Sequence, residues 1–559
     1  MTDGAGQAAA IGGAAPRRPA RPLGALGVIA LAITALVLAP LVAVVASAFG
    51  PGESSWAHLA RTVLPAFVGN TLLLLAGVTW GVVSIGVLAA WLVTAYRFPG
   101  RRVLEWALIL PLAIPAYVMA YAYTDWLQFT GPVQTELRAL TGWQAHEYWF
   151  PEIRSLYGAA GMFSFALYPY VYLLARTSFL ELSRSALEAG RLAGYGAWGS
   201  FFRVAIPLAR PAIAAGTALA LMETLADFGV VSYFAVETFT TGIFKAWLGM
   251  GDVAAACQLA ACLLGFVVLV LALERWNRGG ARYHPTTLRT PQPPQRLRGA
   301  AAAAAFIACA APVLFGFVLP VGLLLRVATT SAEAALDTRV LGQIANSVTV
   351  AGVTALIAVG IAVLLAYAAR LARRPLVARA TRASALGYAI PGAVIAVGIL
   401  VPLGRLDNLL AGWIQTAFGI DVGLLLTGTI VALVYAYLVR FLAVALQTVE
   451  AGLARVTPSM EDAARSLGAG PLATLGRVHA PLLASSLATA ALLVFVDTVK
   501  ELPATFALRP FNFDTLAVAA YNFTKDERLA EAAVPSLVIV AVGLLPVLFL
   551  SRRLMRAGA

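Results

Sequence analysis

Long apolar stretches constrain this chain more than any other feature. Twelve segments are each apolar over roughly the 20 residues that a helix needs to cross a bilayer. A soluble domain is about 25% charged, whereas this chain of 559 residues is 12% charged and 60% hydrophobic. Such a composition cannot solvate a globular surface, and it is far too apolar for disorder. The sequence therefore predicts an all-α, polytopic membrane protein.

The twelve segments form two sets of six. The first set comprises 23–48, 71–95, 104–127, 157–179, 205–226 and 254–273, and the second comprises 300–325, 347–369, 380–403, 422–445, 482–499 and 532–551. The first segment ends in Ala46-Ser47-Ala48, which resembles a signal-peptidase site. It is longer than the apolar region of a signal peptide, about 7–15 residues, so we expect an uncleaved span.

The distribution of basic residues predicts an orientation. Most Lys and Arg lie in gaps on the same side as both termini, in clusters such as 17–21, 275–298 and 370–382, and we count Arg440 on this side. The positive-inside rule makes that side cytoplasmic. The net charge of +13 therefore indicates a multi-pass protein of the inner (cytoplasmic) membrane with both termini in the cytoplasm, and no nucleic-acid partner is expected.

The two sets of spans repeat one another. Three motifs recur 276 positions later: Asn70-Thr71 as Asn346-Ser347, Arg97-Phe98-Pro99 as Arg373-Arg374-Pro375, and Ile114-Pro115 as Ile390-Pro391. Others recur after 274 positions: Gly194 as Gly468, Pro207 as Pro481, Glu223-Thr224 as Asp497-Thr498, and Asp227 as Glu501. A constant separation over such distances indicates an internal duplication.

The duplication predicts how the chain is organised. Each copy has an even number of spans, so both copies have the same orientation and the repeats are parallel. The predicted segments are an N-terminal cytoplasmic tail (1–22), a first six-span repeat (23–274), a basic cytoplasmic linker (275–299), a second six-span repeat (300–551) and a C-terminal cytoplasmic tail (552–559).

Two long loops, after spans four and ten, share one pattern. The first contains Glu188-Ala189-Gly190, Gly194 and Pro207, and the second contains Asp462-Ala463-Ala464, Gly468 and Pro481. Each reads as a short helix stopped by Gly, before a helix that starts at Pro. The pattern resembles the EAA loop of ABC importer permeases, with Gly190 and Asp462 as departures from Glu-Ala-Ala. An ordinary amphipathic helix at the membrane surface is the alternative.

The resemblance extends over nearly the whole chain. The chain is similar to fused, twelve-span permeases of the iron(III) importer type in four segments, 226–229, 237–242, 500–505 and 509–516. This resemblance implies the type I ABC importer permease fold, an ATPase dimer docked on the two loops, a solute-binding protein on the outer side and iron(III) as substrate. Thiamine and polyamine permeases share the loop, so another small solute remains open. A gradient-driven secondary transporter is less favoured, because it has no ATPase to dock.

The chain lacks the residues that ATP hydrolysis or metal catalysis would need. Lys occurs only at Lys245, Lys500 and Lys525, and none follows Gly, so the Gly-Lys-Ser/Thr step of a phosphate-binding loop is missing. Four scattered His and three Cys within apolar stretches do not have metal-ligand spacing. We therefore expect a transporter subunit that is not an enzyme and has no cofactor, with ATP and Mg²⁺ bound by the partner ATPase.

Four acids near the ends of spans five and eleven are candidates for the translocation pathway. Glu223 and Asp227 are four residues apart and share a helix face, as do Asp497 and Glu501. Acids within membrane helices usually face a bundle interior or a pathway, and their oxygens suit a hard cation such as iron(III). Alternatively, Lys500 or Arg509 neutralises them, or they cap a helix end.

Overall fold

The computed structural model describes residues 24–50, 55–144, 146–182, 192, 194–278, 295–330, 337–372 and 375–557. The helices of the first half are α1 (Ala25–Ala48), α2 (Trp56–Thr62), α3 (Leu64–Ala95), α4 (Arg101–Ala107), α5 (Ala116–Leu127), α6 (Pro132–Thr141), α7 (Leu156–Leu180), α8 (Ala197–Ser200), α9 (Ile206–Ala226), α10 (Gly229–Tyr233), α11 (Phe239–Phe244) and α12 (Val253–Arg278). Those of the second half are α13 (Gly299–Val313), α14 (Leu319–Thr330), α15 (Thr338–Ala372), α16 (Pro375–Ser384), α17 (Gly392–Phe418), α18 (Ile430–Leu453), α19 (Pro458–Ser466), α20 (Pro471–Thr474), α21 (Ala480–Lys500), α22 (Pro503–Leu508), α23 (Leu516–Lys525) and α24 (Leu529–Ala557).

Short irregular segments join these helices. The 3₁₀-helical turns are Leu110–Ala113 and Ala385–Ala389. The π-helical turns are Phe201–Ala205, Lys245–Gly249, Leu314–Val318 and Leu475–His479. Two strands, β1 (Tyr96–Arg97) and β2 (Gln295–Arg296), pair in parallel. This pair fixes the end of the linker between the halves beside the loop that follows α3.

The predicted membrane fold is confirmed. Within the described ranges, eleven helices are long and apolar enough to cross a membrane, and the number is twelve if one bent helix pair forms a single span. That pair consists of Arg101–Ala113 and Ala116–Thr141, which meet at 92°. The chain is thus a multi-pass membrane protein with eleven or twelve candidate spans, in line with the predicted fold.

The helices of spans three and nine are interrupted, which the sequence analysis did not predict. The sequence suggested continuous helices over 104–127 and 380–403, but α5 begins after Pro115 and α17 begins after Pro391. Proline has no N–H to donate and disfavours helical geometry in the residue before it. The repeated Ile-Pro motif therefore marks the same break in both halves.

Span ten also differs from the prediction, and this changes the position of one arginine. The predicted span covered 422–445, whereas α18 begins at Ile430, after the N-cap Thr429. Arg440 then lies in the middle of α18 and is only 8% exposed. Counting Arg440 with the arginines of a cytoplasmic gap was therefore wrong. The orientation of the termini remains a prediction from the other clusters.

The first helix of each half packs against the other half. Helix α1 contacts α15, α16 and α17, all from the second repeat, as well as α12. In the same way, α13 contacts α3 and α4, and α14 contacts α5 of the first repeat. The two halves therefore exchange their first helices in space. The boundaries of the repeats in the sequence remain a prediction.

A tyrosine fixes each exchanged helix. Tyr435 donates a 2.6 Å hydrogen bond to the carbonyl of Leu36 in α1, which Pro40 leaves without a helical donor. Tyr123 donates a 2.6 Å bond to the carbonyl of Phe315 in the π-helical turn before α14. The fifth residue after Phe315 is again a proline, so that carbonyl also lacks its π-helical partner. Both bonds satisfy carbonyls that would otherwise be unpaired.

Tyr435→Phe is expected to destabilise the permease by about 1 kcal/mol, because the Leu36 carbonyl then has no donor. The measurement is thermal unfolding of the purified protein in detergent. Tyr123→Phe should lower the melting temperature similarly. Tyr157→Phe is the matched control, since Tyr157 is 86% exposed. Equal melting temperatures for all three variants would contradict a role for these bonds.

Candidate translocation cavity and coupling loops

A cavity of about 490 Å³ lies between the two halves, beside the ends of α9 and α21. Its walls are mostly apolar, and they carry tyrosine hydroxyls and a small set of charged side chains. The charged residues that line it are Glu223, Asp227, Arg440, Asp497, Lys500 and Glu501. All four predicted pathway acids thus border one space, to which both repeats contribute.

The second acid of each pair caps a short helix. Asp227 Oδ1 accepts a 2.9 Å hydrogen bond from the N–H of Val230 in α10. Glu501 Oε1 accepts one of 2.9 Å from the N–H of Ala504 in α22, and Oε2 accepts from Thr505 N–H at 2.9 Å and from its hydroxyl at 2.6 Å. Asp227 and Glu501 therefore cap the ends of helices, which the sequence analysis gave as the alternative to a pathway role.

The first acid of each pair makes fewer contacts with backbone. Glu223 Oε1 accepts a 2.9 Å hydrogen bond from the hydroxyl of Tyr388, a residue of the other half. The Tyr388 hydroxyl also hydrogen-bonds Tyr170. Asp497 occupies the position matching Glu223 and lies within electrostatic range of it. One carboxylate from each repeat is thus left facing the cavity.

Two cations, both from the second half, lie among these acids. Arg440 Nη1 donates a 3.1 Å hydrogen bond to Glu501 Oε1, and Nη2 lies 4.0 Å from Glu223 Oε2. Lys500 Nζ donates a 2.9 Å bond to the carbonyl of Leu112 and lies within electrostatic range of Asp497. Lys500 thus occupies the place expected of a counter-ion.

Arg509, the other cation suggested as a counter-ion, has a different partner. It forms an ion pair with Asp514 in the loop before α23. Arg509 therefore does not neutralise the cavity acids. The counter-ion that the sequence analysis missed is Arg440, and the signal that could have found it is a single arginine within a long apolar run.

Aromatic side chains of both halves pack next to the capped short helices. Phe228 lies 4.3 Å from Phe244, 5.7 Å from Phe506 and 5.4 Å from Tyr521, measured between ring centroids. The hydroxyls of Ser232 and Tyr521 are 2.9 Å apart and join the two halves. Because Phe228 directly follows Asp227, this cluster adjoins the cavity at the end remote from the predicted coupling loops.

The repeated asparagines hold the loops that carry this cluster. Asn70 Nδ2 donates a 2.9 Å hydrogen bond to the carbonyl of Glu237, before α11. Asn346 Nδ2 donates a 3.1 Å bond to the carbonyl of Asp514, before α23. The Asn motif that revealed the duplication therefore has the same structural role in both halves.

The second predicted coupling loop is a short helix followed by a left-handed glycine. Asp462, Ala463 and Ala464 lie in α19, where Ala464 is buried and the other two are exposed. Gly468 has φ of 79°, a conformation that favours glycine. Pro481 lies in the first turn of α21.

An ion pair ties this helix to the transmembrane bundle. Arg370 Nε of α15 lies 2.6 Å from a carboxylate oxygen of Glu461. The same guanidinium donates 2.6 Å hydrogen bonds to the carbonyls of Leu453 and Val456 at the end of α18. Arg370 therefore connects α19 to both α15 and the end of α18.

The first predicted loop lies only partly within the described ranges. Glu188, Ala189 and Gly190 lie outside them. Gly194 has φ of 81°, close to that of its counterpart Gly468. Pro207 lies in the first turn of α9, as Pro481 does in α21. The glycine and proline positions are thus equivalent in the two copies.

The acids do not form a preassembled metal centre. Among the residues that the structure describes, no group of three or more His, Cys, Asp or Glu is arranged to hold a metal ion. The cavity therefore offers dispersed oxygen atoms, from carboxylates and tyrosine hydroxyls on facing walls.

Comparison with known proteins defines the class. Residues 82–279 match the family described as binding-protein-dependent transport system inner membrane component. The sulfate transport system permease protein CysT of Escherichia coli is 31% identical over 219 residues, which are 38% of this chain and 72% of that protein. The chain belongs to this family: it is the membrane-spanning permease of an ABC importer, which works with an ATPase and a solute-binding protein.

Other relatives differ in the solute that their names state. The Fe(3+)-transport system permease protein FbpB 2 of Haemophilus influenzae is 28% identical over 499 residues, 88% of this chain and 91% of that protein. The molybdenum transport system permease protein ModB of Escherichia coli is 26% identical over 197 residues, 34% of this chain and 83% of that protein. These relatives are transport permeases, not enzymes. The relative named for iron matches across both halves, whereas those named for sulfate and molybdenum match about one repeat.

Proposed function

We propose that this permease moves iron(III) into the cytoplasm from a solute-binding protein on the outer side of the membrane. The observation that carries the proposal is the charge of the cavity, where four carboxylates face two cations. Ionised carboxylates and tyrosine hydroxyls are oxygen ligands, which hard cations prefer. An excess of acid favours a cation over an anion as the solute.

The comparison with the iron permease supports this proposal. Similarity to FbpB 2 of Haemophilus influenzae extends over 88% of the chain and so spans both halves that build the cavity. The relatives named for sulfate and molybdenum match about one repeat, so they cannot be compared with this chain over a cavity that both repeats form.

A second candidate solute is an oxyanion such as sulfate or molybdate. Arg440 and Lys500 favour it, because guanidinium and ammonium groups bind oxyanions. Both cations nevertheless already have acidic neighbours in the cavity, Glu501 and Asp497. Neutralising two of four acids leaves the site acidic, so we favour the cation.

The coupling loops form part of the same proposal. We infer that the segments ending at Gly194 and Gly468 dock on two copies of the ATPase, which binds ATP and Mg²⁺. Both glycines have the same left-handed conformation and come before the helices that border the cavity, so docking would move α9 and α21 directly. This assignment makes the loop side cytoplasmic, in agreement with the basic clusters.

The test is uptake by the complete importer, reconstituted in vesicles with its ATPase and binding protein. Radiolabelled iron(III), sulfate and molybdate are supplied separately, with ATP enclosed on the ATPase side. We expect ATP-dependent uptake of iron that requires the binding protein, and none of the oxyanions. Uptake of sulfate or molybdate without iron would overturn the iron proposal and support the second candidate.

A further inference from the structure

The two halves of the cavity differ in one respect that the duplication does not predict. Acids occur at both members of each repeated pair, but the two cations among the described residues that line the cavity both belong to the second half. Positions 274 residues before Arg440 and Lys500 are Ala166 and Ala226, and both alanines line the same cavity. The four acids are thus distributed equally between the two halves, whereas both positive charges that oppose them come from the second half.

Arg440 is placed to act on both repeats at once. One edge of its guanidinium donates to Glu501 of its own half, and Nη2 lies 4.0 Å from Glu223 of the other half. It also lies within electrostatic range of Asp497. A guanidinium stays protonated at any physiological pH, so a fixed positive charge lies among the carboxylates.

The carboxylate of Glu501 has hydrogen-bond donors other than Arg440. Both carboxylate oxygens of Glu501 already accept hydrogen bonds from α22, through Ala504 and Thr505. The Nε atom of Arg440 is buried and has no hydrogen-bond partner among the described residues. Loss of the guanidinium would therefore leave both Glu501 oxygens paired with backbone N–H groups.

We propose that Arg440 is a tethered counter-cation that weakens the hold of the cavity on iron(III) and so permits release; this inference rests on the proposed function. A pathway has to attract its ion but bind it weakly enough for it to leave. Four carboxylates with Lys500 alone as counter-ion would hold a trivalent ion more tightly. Arg440 lowers that affinity by occupying the space between the carboxylates and repelling the ion.

The experiment compares Arg440→Gln with Arg440→Lys in the reconstituted importer. Glutamine removes the charge and keeps a polar side chain of similar length, whereas lysine keeps the charge. After exposure to labelled iron(III) and removal of free ion, we expect Arg440→Gln to retain about tenfold more iron per inserted permease than wild type, since one nearby charge is lost. Its net uptake per copy should fall, whereas Arg440→Lys, which keeps the charge, should retain less iron than Arg440→Gln.

The outcomes separate this inference from the function on which it rests. Iron uptake by wild type together with unchanged retention in Arg440→Gln would overturn the counter-cation role and leave the iron proposal intact. Absence of iron uptake by wild type, with sulfate or molybdate binding lost in Arg440→Gln, would overturn both and make Arg440 a ligand of an oxyanion.

If Arg440→Gln does not insert into the membrane, a second comparison tests the same proposal. Glu223→Gln is then measured with and without Arg440→Gln, so that the double variant has the same net charge as wild type. We expect the protein without the arginine to retain more iron than Glu223→Gln alone. Equal retention in the two proteins would overturn the proposal.

Discussion

A permease carrying Gly194→Val and Gly468→Val together is expected to insert normally but to lose its ATPase during purification. Both glycines have φ near +80°, where a β-branched residue is strongly disfavoured. The left-handed conformation costs a non-glycine residue about 1–2 kcal/mol. The backbone would therefore leave this geometry at both loops, and we expect co-purified ATPase to fall at least about tenfold. The measurement is the molar ratio of ATPase to permease after affinity purification.

Two neighbouring glycines provide the matched control. A Cβ atom at Gly194 or Gly468 would have no other atom within 4 Å, and the same holds at Gly196 and Gly470. Only the first two have positive φ. Gly196→Val with Gly470→Val adds the same side chains to the same loops without the backbone strain, so ATPase recovery should stay near wild type. Normal recovery with Gly194→Val and Gly468→Val would contradict the assignment of these loops to coupling.

The sequence could predict the spans, because apolar length is a local property. It could not predict where a helix bends, since that depends on packing. Pro115 and Pro391 were visible as a repeated motif, yet Pro115 lies at a 92° bend before a helix of 12 residues, whereas Pro391 precedes a helix of 27 residues. The exchange of the first helices was equally hidden, because the tyrosines that fix them bind carbonyls in the other half.

The candidate site was predictable only where its residues are close in sequence. Glu223 and Asp227 share a helix face at a spacing that any helix would give, and the duplication supplied the second pair. Arg440 and Tyr388 reach the same cavity from α18 and from the turn before α17. Neither is near the acids in the chain, and an average over the apolar stretch conceals a single arginine. Only the fold shows that they meet.

Replacing the first acid of each pair, as Glu223→Gln with Asp497→Asn, is expected to reduce iron uptake about tenfold at unchanged membrane abundance. These two carboxylates face the cavity from opposite repeats and do not cap a helix. Their loss leaves Asp227 and Glu501 as the acids, against Arg440 and Lys500. The cavity then has no net charge, so its electrostatic attraction for a trivalent ion largely disappears. The measurement is ATP-dependent uptake per inserted copy.

Two further double variants distinguish an effect on transport from an effect on insertion. Glu136→Gln with Asp526→Asn removes two exposed acids away from the cavity and should leave uptake unchanged. Asp227→Asn with Glu501→Gln should instead lower the amount of inserted protein, because these side chains cap α10 and α22 through four backbone N–H groups. Wild-type uptake per copy by the Glu223→Gln, Asp497→Asn protein would exclude these acids from the pathway. Failure of that protein to insert would mean that the first acids also stabilise the fold, and that the cavity charge has to be tested through Arg440 instead.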